Sequence, residues 1–553
     1  MQRVDGRNPN NLPVFASISS YWPVVRASLS SEWIWVTAWL ALGMFLRIWS
    51  LGRFPLREDE ALYAYWARLI SSGQDTMLEW VAVDKPPFFI YTLASFFEWF
   101  GPSLQSGWML NLLASFLSLV LLWLLARRIY GSRAARWALV LFALSPFAIS
   151  FAPTLYTDPM LVAWLLLALL AVSYGSGLGA GLALGMAFAT KQNALLFSPL
   201  IIGAVLLGTS PTFWQQWIEN ARITHHVSRF TSRPLTSVLR LLTLAAGFYI
   251  IWFKVWQWDG WRILPSFIPS FWEQSWNSYG GLVLVEPAQW PERMAQWWEV
   301  GQWLGGWTIG TFVLVGLIVM GMVGKKQLII NNQQLIVNRT SDLRYWSLLF
   351  STFILAYLLL HIVFSFQAWD RYLLGLTPLL AMLAARGLVV GWDTVQDRKI
   401  LRWGLAMVVG ISVLWGAGQA TAARLPIGGD HGAYAGIEGV ASYLQAQVPA
   451  HRGVLYQRWL GWHWNWYLWG GPEGRVYWSE PAMLLDDIRT SPHGYSRYVV
   501  FPGWHIAERA PLEKALAVDD LGLAERLIVN HPDDGRLQFA VYEIVDGDGG
   551  VVR

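Results

Sequence analysis

The sequence contains no cysteine. Disulfides, thiolate catalysis and cysteine-held metals are therefore excluded. Charge is scarce as well. Asp, Glu, Lys and Arg make up 14% of the residues, where a soluble globular protein carries roughly 25%. The histidines show no metal-ligand spacing, and the adjacent pair His225 and His226 falls in a predicted cytoplasmic loop. No metal site and no cofactor is indicated, although the acids described below are compatible with an assisting divalent cation. No solenoid-length repeat and no low-complexity tract is present. The formal net charge of +4 is modest. Its positive clusters fall in loops, which reads as membrane topology and not as a nucleic-acid surface.

What the chain has in excess is apolar residues, 55% of the total. Several runs reach or approach the roughly 20 residues that cross a bilayer. A mainly α, polytopic membrane protein is expected. About eleven spans are predicted, near 33–51, 106–126, 137–152, 159–174, 177–190, 193–208, 238–256, 303–323, 345–362, 371–390 and 401–419. The Gly-rich stretch 174–192 is ambiguous, since its two short runs read as two spans or as one re-entrant element. Loops 127–136, 209–240, 324–344 and 391–402 collect the Lys and Arg residues and fall on one side with the N-terminus. By the positive-inside rule that side is the cytoplasm. Residues 1–33 are too long and too polar for a cleaved signal and read as a cytoplasmic lead. The opposite side receives 52–105, the TLYTDP turn, the loop 257–302, HIVFSFQAWDR and the tail. From about residue 424 short strands (GVLYQR, RVYW, RYVVFP, LQFAVYEIV) alternate with helices (GIEGVASYLQAQV, PAMLLDDIRT, PLEKALAV). Residues 1–423 are thus expected to form the transmembrane domain and 424–553 a small α/β extracytoplasmic domain.

FPLREDEALYAYWARLI, residues 54–70, leaves the first span and runs directly into a helical pattern. Leu62, Tyr65, Trp66, Leu69 and Ile70 share one face. This helix is too short and polar to span, so it is predicted to lie in the interface plane with its aromatic face toward lipid. VDKPPFFIYTLASFFEWF predicts a second interfacial helix, with Phe89, Leu93, Phe96, Phe97 and Phe100 on one face. The two would wall a groove at the membrane boundary. Glu58, Asp59 and Glu60 open the first helix, and Asp84 and Lys85 open the second. Each acid has a plain reading as a cap or dipole partner, as does Asp158 before Pro159. One cap does not need three consecutive acids, however. Acids and a lysine at the lipid boundary carry a desolvation cost that points to function. The groove suits a substrate with a lipid tail and a phosphate head. Lys85 can hold the phosphate as a point charge, and a carboxylate can take the proton of an attacking hydroxyl. Sugar transfer from a polyprenyl-phosphate carrier needs these two functions. The departing phosphate needs a cation and no general acid, and inversion needs one base.

DEALYAYWARLISSG followed by VDKPPFFIY resembles the first outer loop of polyprenyl-phosphate-sugar glycosyltransferases of the GT-C fold. The likeness is nearest to the bacterial lipid A aminoarabinose transferase and the protein O-mannosyltransferase relatives. It continues at ALVLFALSPFAISFAPTLYTDPMLVAWLLLAL, at GLALGMAFATKQNALLFSPLI and at FSFQAWDRYLLGLTPLLAMLAARG, and covers most of residues 50–390. The resemblance implies that Asp59 is the catalytic base, with Glu60 its acidic neighbour. It implies that Lys85 contacts the carrier phosphate and that Asp158 positions acceptor or donor. Lys191 and Arg371 match cationic positions near the phosphate or at span ends. An ordinary snorkelling lysine and a plain interfacial arginine are the alternatives for these two. Asp84 stands where the aminoarabinose enzyme has Glu, and TKQN replaces the commoner Lys-Gly. The implied partners are a polyprenyl-phosphate-linked sugar donor, a lipid, glycan or protein acceptor, and the bilayer of a plasma (inner) membrane.

Trp459, Trp462, Trp464, Trp466 and Trp469 crowd WLGWHWNWYLWG. They read as interface or packing residues first and as sugar-stacking faces second, with His463 an ordinary polar contact. A lipid or glycan transporter or flippase is the rival reading. It calls for ionisable groups at mid-span and related halves, whereas the charges here fall at span ends and no half-repeat is visible. A non-catalytic scaffold explains the tail but not the acids of the first loop.

Overall fold

A helix occupies each of the apolar runs, and prolines and glycines set many of the breaks. The computed structural model describes residues 18–207, 232–276, 281–323, 333–428, 432–448, 452–471, 474–491 and 494–547. His225, His226 and much of the basic loops 209–240 and 324–344 lie outside the described residues. The first nine helices are α1 Ile18–Trp49, α2 Glu58–Ser71, α3 Pro87–Phe100, α4 Leu104–Tyr130, α5 Ser132–Ala143, α6 Pro146–Phe151, α7 Asp158–Ser173, α8 Gly177–Thr190 and α9 Ser198–Leu207. Longer ones follow at Ser232–Trp261, Gln333–Val363, Thr377–Thr394 and Lys399–Thr421. Among the described residues, five helices are long and apolar enough to cross a bilayer. The pair Pro287–Gly305 and Thr308–Met322, bent by 82°, adds a sixth if it is one span.

The run 137–152 is not one helix. Ser145 precedes Pro146, which lacks an N–H and disfavours helical geometry before it, so α5 stops and α6 restarts. Carbonyls at this break also accept from Arg47 of α1. Its guanidinium donates to Phe142 O at 3.1 Å and Ala143 O at 3.0 Å, as well as to Gly43 O and Ser115 Oγ. A buried arginine is thereby satisfied within the bundle.

The stretch 174–192 resolves into packing. Gly177, Gly181 and Gly185 line one face of α8 at four-residue spacing. A Cβ at Gly181 would come within 2.0 Å of Leu244 O, and one at Gly177 within 2.4 Å of Arg240 O. These glycines let α8 lie backbone to backbone against Ser232–Trp261. α8 and α9 are separate helices joined by the 3₁₀ turn Gln192–Phe197.

The C-terminal sheet has β1 Gly453–Gln457, β2 Gly474–Tyr477, β3 Ser496–Pro502, β4 Leu521–Asn530 and β5 Leu537–Asp546, in the order β2-β1-β3-β5-β4. β1 runs parallel to β2 and β3, with Val454 opposite Gly474 and Arg497. β5 is antiparallel to β3 and β4. Helices Pro481–Thr490 and Arg509–Leu516 cover one face, and Ile437–Gln447 and Gly461–Tyr467 cover the other. β4 escaped the sequence pattern because its middle is AERL. It is an edge strand, blunted by charge, whose Arg526 pairs with Glu543 of β5 at 2.8 Å.

The expected lipid-facing side of α2 is covered by protein. Trp66 is 1% exposed. Trp462 packs on Tyr65 and Trp66, and Trp469 packs on Tyr65. Arg68 donates to Trp466 O at 3.2 Å. The tryptophan-rich segment is thus a packing element on α2. Its His463 makes the polar contact expected of it, to Leu56 O at 2.9 Å. On α3, Phe89, Leu93 and Phe97 are buried, while Phe100 at its end is exposed.

Candidate active site

The residue before α2 fixes what its acids can do. Glu60 reaches back to the N-cap residue Arg57, which makes one half of a capping box, and the two side chains pair at 3.5 Å. Glu60 Oε2 accepts from Arg57 N at 3.2 Å, and Glu60 Oε1 accepts from Leu155 N at 2.6 Å. Glu60 is 3% exposed, so its carboxylate is committed to backbone. It ties the TLYTDP turn to the start of α2.

Asp59, one residue earlier and roughly 100° round the helix, takes a different direction. Its Oδ2 lies 2.5 Å from Nη1 of Arg371. Arg371 belongs to the 3₁₀ turn Asp370–Leu376, a turn that stops where Pro378 helps start the next helix. The guanidinium lies over the rings of Trp369 (4.2 Å) and Tyr156 (4.9 Å). Asp370 braces the turn. Its carboxylate accepts from Arg371 N at 2.7 Å and Gly428 N at 2.6 Å. Gly428 has φ +85° and sits so close to the Arg57 guanidinium that a Cβ would collide with it.

A second pair stands where α7 begins and α8 ends. Lys191 Nζ is 2.7 Å from both oxygens of Asp158 and 4.9 Å from the Tyr372 ring centre. Asn193 hydrogen-bonds Tyr372. A third pair joins Asp84 and Lys85 at the start of α3. Gln274 Nε2 reaches Asp84 Oδ2 at 3.4 Å. It is carried there by the helix Phe267–Trp276, whose start is capped by Asp259 accepting from Ser266 N, Phe267 N and Ile268 N. Arg262, ion-paired with Asp259, donates to Leu78 O and Val81 O and so latches this segment onto the loop before α3.

The three pairs feel one another. Burial alone would raise the pKa of Asp59, but Arg371, Lys85 and Lys191 outweigh it and hold the carboxyl below its ordinary value. Its neighbour Glu58 is pushed the other way, by burial and by the Asp59 charge. The Tyr63 hydroxyl is driven well up, by burial first and then by Asp59. Asp59, Asp84, Lys85, Asp158, Lys191 and Arg371 therefore gather at one end of the bundle. Glu58 reaches solvent on one side while the protein crowds it on the other, and Glu60 points into the protein. The basic helix ends lie elsewhere, where Arg127 pairs with Glu32 and Arg133 with Asp393.

Sequence reasoning passed over Tyr63, Tyr156, Tyr372, Asn193 and Gln274. Tyr156 and Tyr372 sat inside the motifs already singled out. Gln274 carried no signal, because only the tertiary latch brings it to Asp84. Among the described residues, no group of three or more His, Asp or Glu side chains stands in metal-ligating geometry. An apolar cleft opens among the helices. Leu144, Pro146, Leu304, Val313 and Val413 line it, together with Thr377 at the end of the Arg371 turn.

Residues 84–228 match the family model described as dolichyl-phosphate-mannose-protein mannosyltransferase. No curated protein matches the sequence. Two solved structures share the fold along nearly the whole chain. One is ArnT from Cupriavidus metallidurans bound to undecaprenyl phosphate, with 16% identity and a TM-score of 0.56, covering 92% of this chain and 98% of that one. The other is ArnT from Cupriavidus metallidurans in the apo state, with 15% identity and a TM-score of 0.56, covering 94% and 98%. The resemblance read from the sequence is borne out. The chain is a multi-pass membrane protein with the GT-C fold.

Proposed function

We propose that the protein is a membrane glycosyltransferase that moves a sugar from a polyprenyl-phosphate carrier to an acceptor hydroxyl on a lipid, glycan or protein. The observation that carries this reading is the placing of one carboxylate, Asp59, under the influence of Arg371, Lys85 and Lys191 at one end of an apolar bundle. Cations in such number suit a phosphate. The solved structure of the same fold that holds undecaprenyl phosphate supports a lipid-linked one. The site would face the outer side of a plasma (inner) membrane, opposite Arg127 and Arg133, with the N-terminus in the cytoplasm.

In this mechanism the carrier enters laterally, and its first apolar units lie in the cleft beside Thr377. Lys85 and Arg371 take the phosphate, with Lys191 as a further cation behind them. As Arg371 turns toward the phosphate its hold on Asp59 weakens, and this frees the carboxylate to act. Asp59 then accepts the proton of the acceptor hydroxyl. The acceptor oxygen bonds to the anomeric carbon as the bond from that carbon to the phosphate oxygen breaks. The bonding pair stays on the phosphate, whose growing charge the cations stabilise. One displacement inverts the anomeric centre. Asp158 acts through Lys191, which it holds in place. Asp84 does the same for Lys85, and Glu60 is a positioning residue for the start of α2.

The test is incubation of the purified protein with radiolabelled polyprenyl-phosphate sugars, following release of free carrier phosphate. Release that depends on Asp59 supports the proposal. Carrier translocation across vesicles without release would favour a flippase.

A further inference from the structure

The C-terminal sheet contains a topological switch point that the transfer reaction does not account for. In the order β2-β1-β3 the strands are parallel, and the chain leaves β1 and β3 on opposite faces. After β1 it continues through Leu460, Trp464 and Leu468 into one apolar layer. After β3 it continues through Leu512 and Leu516 into the other. Where connections diverge in this way, the carboxyl ends of the two strands bound a crevice. That is the usual ligand position of open α/β sheets.

The side chains gathered there are not ordinary loop residues. Trp459, after β1, stacks on His505, after β3, with ring centres 3.8 Å apart and planes within 6°. Arg458 lies over Trp459 at 4.7 Å and over Trp478, after β2, at 5.5 Å. It also pairs with Glu508 at 2.7 Å, and Glu508 stands 3.5 Å from His505. Three buried polar atoms lie at the ends of β1 and β2, Gln457 on the face of the helix Gly461–Tyr467 and Trp478 on the other. Gln457 Oε1, Trp459 Nε1 and Trp478 Nε1 have no hydrogen-bond partner among the described residues. Buried polar groups are nearly always satisfied, so three orphans at the ends of two adjacent strands point to an outside partner. Trp504, 44% exposed, forms the rim. It packs edge-on against Tyr434, which stacks on His463, the residue bonded to Leu56 O just before α2. The crevice is thus linked by direct contacts to the helix that carries Asp59.

We propose that this crevice is a carbohydrate subsite holding the saccharide portion of the acceptor. A sugar ring offers apolar C–H faces to aromatic rings, and hydroxyls that both donate and accept. The crevice offers indole faces, indole and guanidinium donors, and the acceptors Gln457 Oε1 and Glu508. A saccharide ring takes the place of His505 on the face of Trp459, with Arg458 kept on the other. His505 sits at a kink in its turn (φ −126°, ψ 15°), at the loop position best suited to yield. The acceptor role rests on the transfer reading above. The binding itself does not.

The experiment titrates the full chain in lipid nanodiscs with linear oligomers of mannose, glucose, galactose and N-acetylglucosamine, without any lipid donor. Binding is followed by saturation-transfer NMR and calorimetry. At least one series binds the wild type, and Asp59→Asn leaves that binding unchanged. Trp459→Ala weakens it about tenfold or more. Gln457→Leu, which spares the ring stack and the strand, weakens it about fivefold and answers the question if Trp459→Ala fails to fold. Absence of binding by every series, or equal binding by the wild type and Gln457→Leu, overturns the subsite. Intact binding in a protein that releases no carrier phosphate would instead count against the transfer reading.

Discussion

Asp59 Oδ2 and Arg371 Nη1 stand 2.5 Å apart, joining the start of α2 to the turn before a late helix. The pairing sets the protonation of the proposed base. Burial disfavours the Asp59 carboxylate, yet Arg371, with Lys85 and Lys191 behind it, keeps the pKa below the ordinary value. The base is competent above that pKa. The acid limb of kcat/KM should therefore lie below the usual carboxylate range. The pair's contribution to stability is present at neutral pH and lost as pH falls through the lowered pKa. Arg371→Gln leaves the burial and removes the strongest attraction, so the limb should move to higher pH. A pH–rate profile on both proteins decides the matter. An unmoved limb in Arg371→Gln separates the pair from catalysis.

Asp59→Asn removes the proton acceptor and keeps the shape. The rate should fall by about 10²–10⁴ with folded yield preserved. Glu60→Gln should behave differently from a surface change. Glu60 accepts from two backbone N–H groups while buried, and an amide presents one of them with a donor. A loss of about 1–3 kcal/mol of stability is expected, measured by thermal unfolding in detergent. If Glu60→Gln keeps full stability but loses activity while Asp59→Asn keeps its activity, the roles are reversed.

Lys85 pairs with Asp84 and is the least buried of the three cations. Lys85→Ala should reduce use of the lipid donor by about 10²-fold, the scale of one charge-stabilising group in an active site. Lys85→Arg should lose much less, since the positive charge survives. The check is the KM and kcat for the donor in both variants. Near-wild-type values for the two would remove Lys85 from phosphate binding.

The helices were legible because lipid and core impose long apolar runs, but the expected spans 137–152 and 371–390 ran straight through Pro146 and Pro378, where one helix restarts and a 3₁₀ turn gives way to the next helix. The first-loop and second-loop acids were legible as motifs. Their partners were not. Nothing in the spacing of Asp59 and Arg371, or of Asp158 and Lys191, tells which carboxylate meets which cation. Glu60 looked like a twin of Asp59, and only the helical turn between them and the nearness of Leu155 N separate their fates. Gly177, Gly181 and Gly185 read as weakness in a span, yet they are the contact surface of two helices. β4 was missed because an exposed edge strand need not alternate. The tryptophans of 459–469 were read as packing, but what they pack on, α2, is known only from the fold.

His463 and Trp462 contact Leu56 and Trp66, so the C-terminal sheet is expected on the same side of the membrane as Asp59. A reporter fused after Arg553 should be active outside the cytoplasm, and one inserted in the loop at Gly131 should be active inside. Cytoplasmic activity of the C-terminal fusion would invert the assigned orientation or change the span count by one.

The pair Asp158–Lys191 offers the cleanest separation of structural from catalytic effect. Both side chains are buried, and Lys191 Nζ meets both carboxylate oxygens at 2.7 Å. Removing one partner leaves a charge in a poorly solvating place, a loss of about 3–5 kcal/mol in buried pairs. Asp158→Asn and Lys191→Met should each destabilise the protein by that order. The double variant carries no stranded charge and should recover a large part of the stability, with a coupling well above the few tenths expected of independent sites. Activity should not follow stability back. With Lys191 gone, the phosphate loses one of its cations, so the double variant should fold and still transfer sugar slowly. Unfolding and transfer measured on the same four proteins form a complete cycle. Additive stabilities would mean that the pair contributes nothing as a pair. A double variant restored in both stability and activity would make Lys191 a structural residue and leave the phosphate to Lys85 and Arg371.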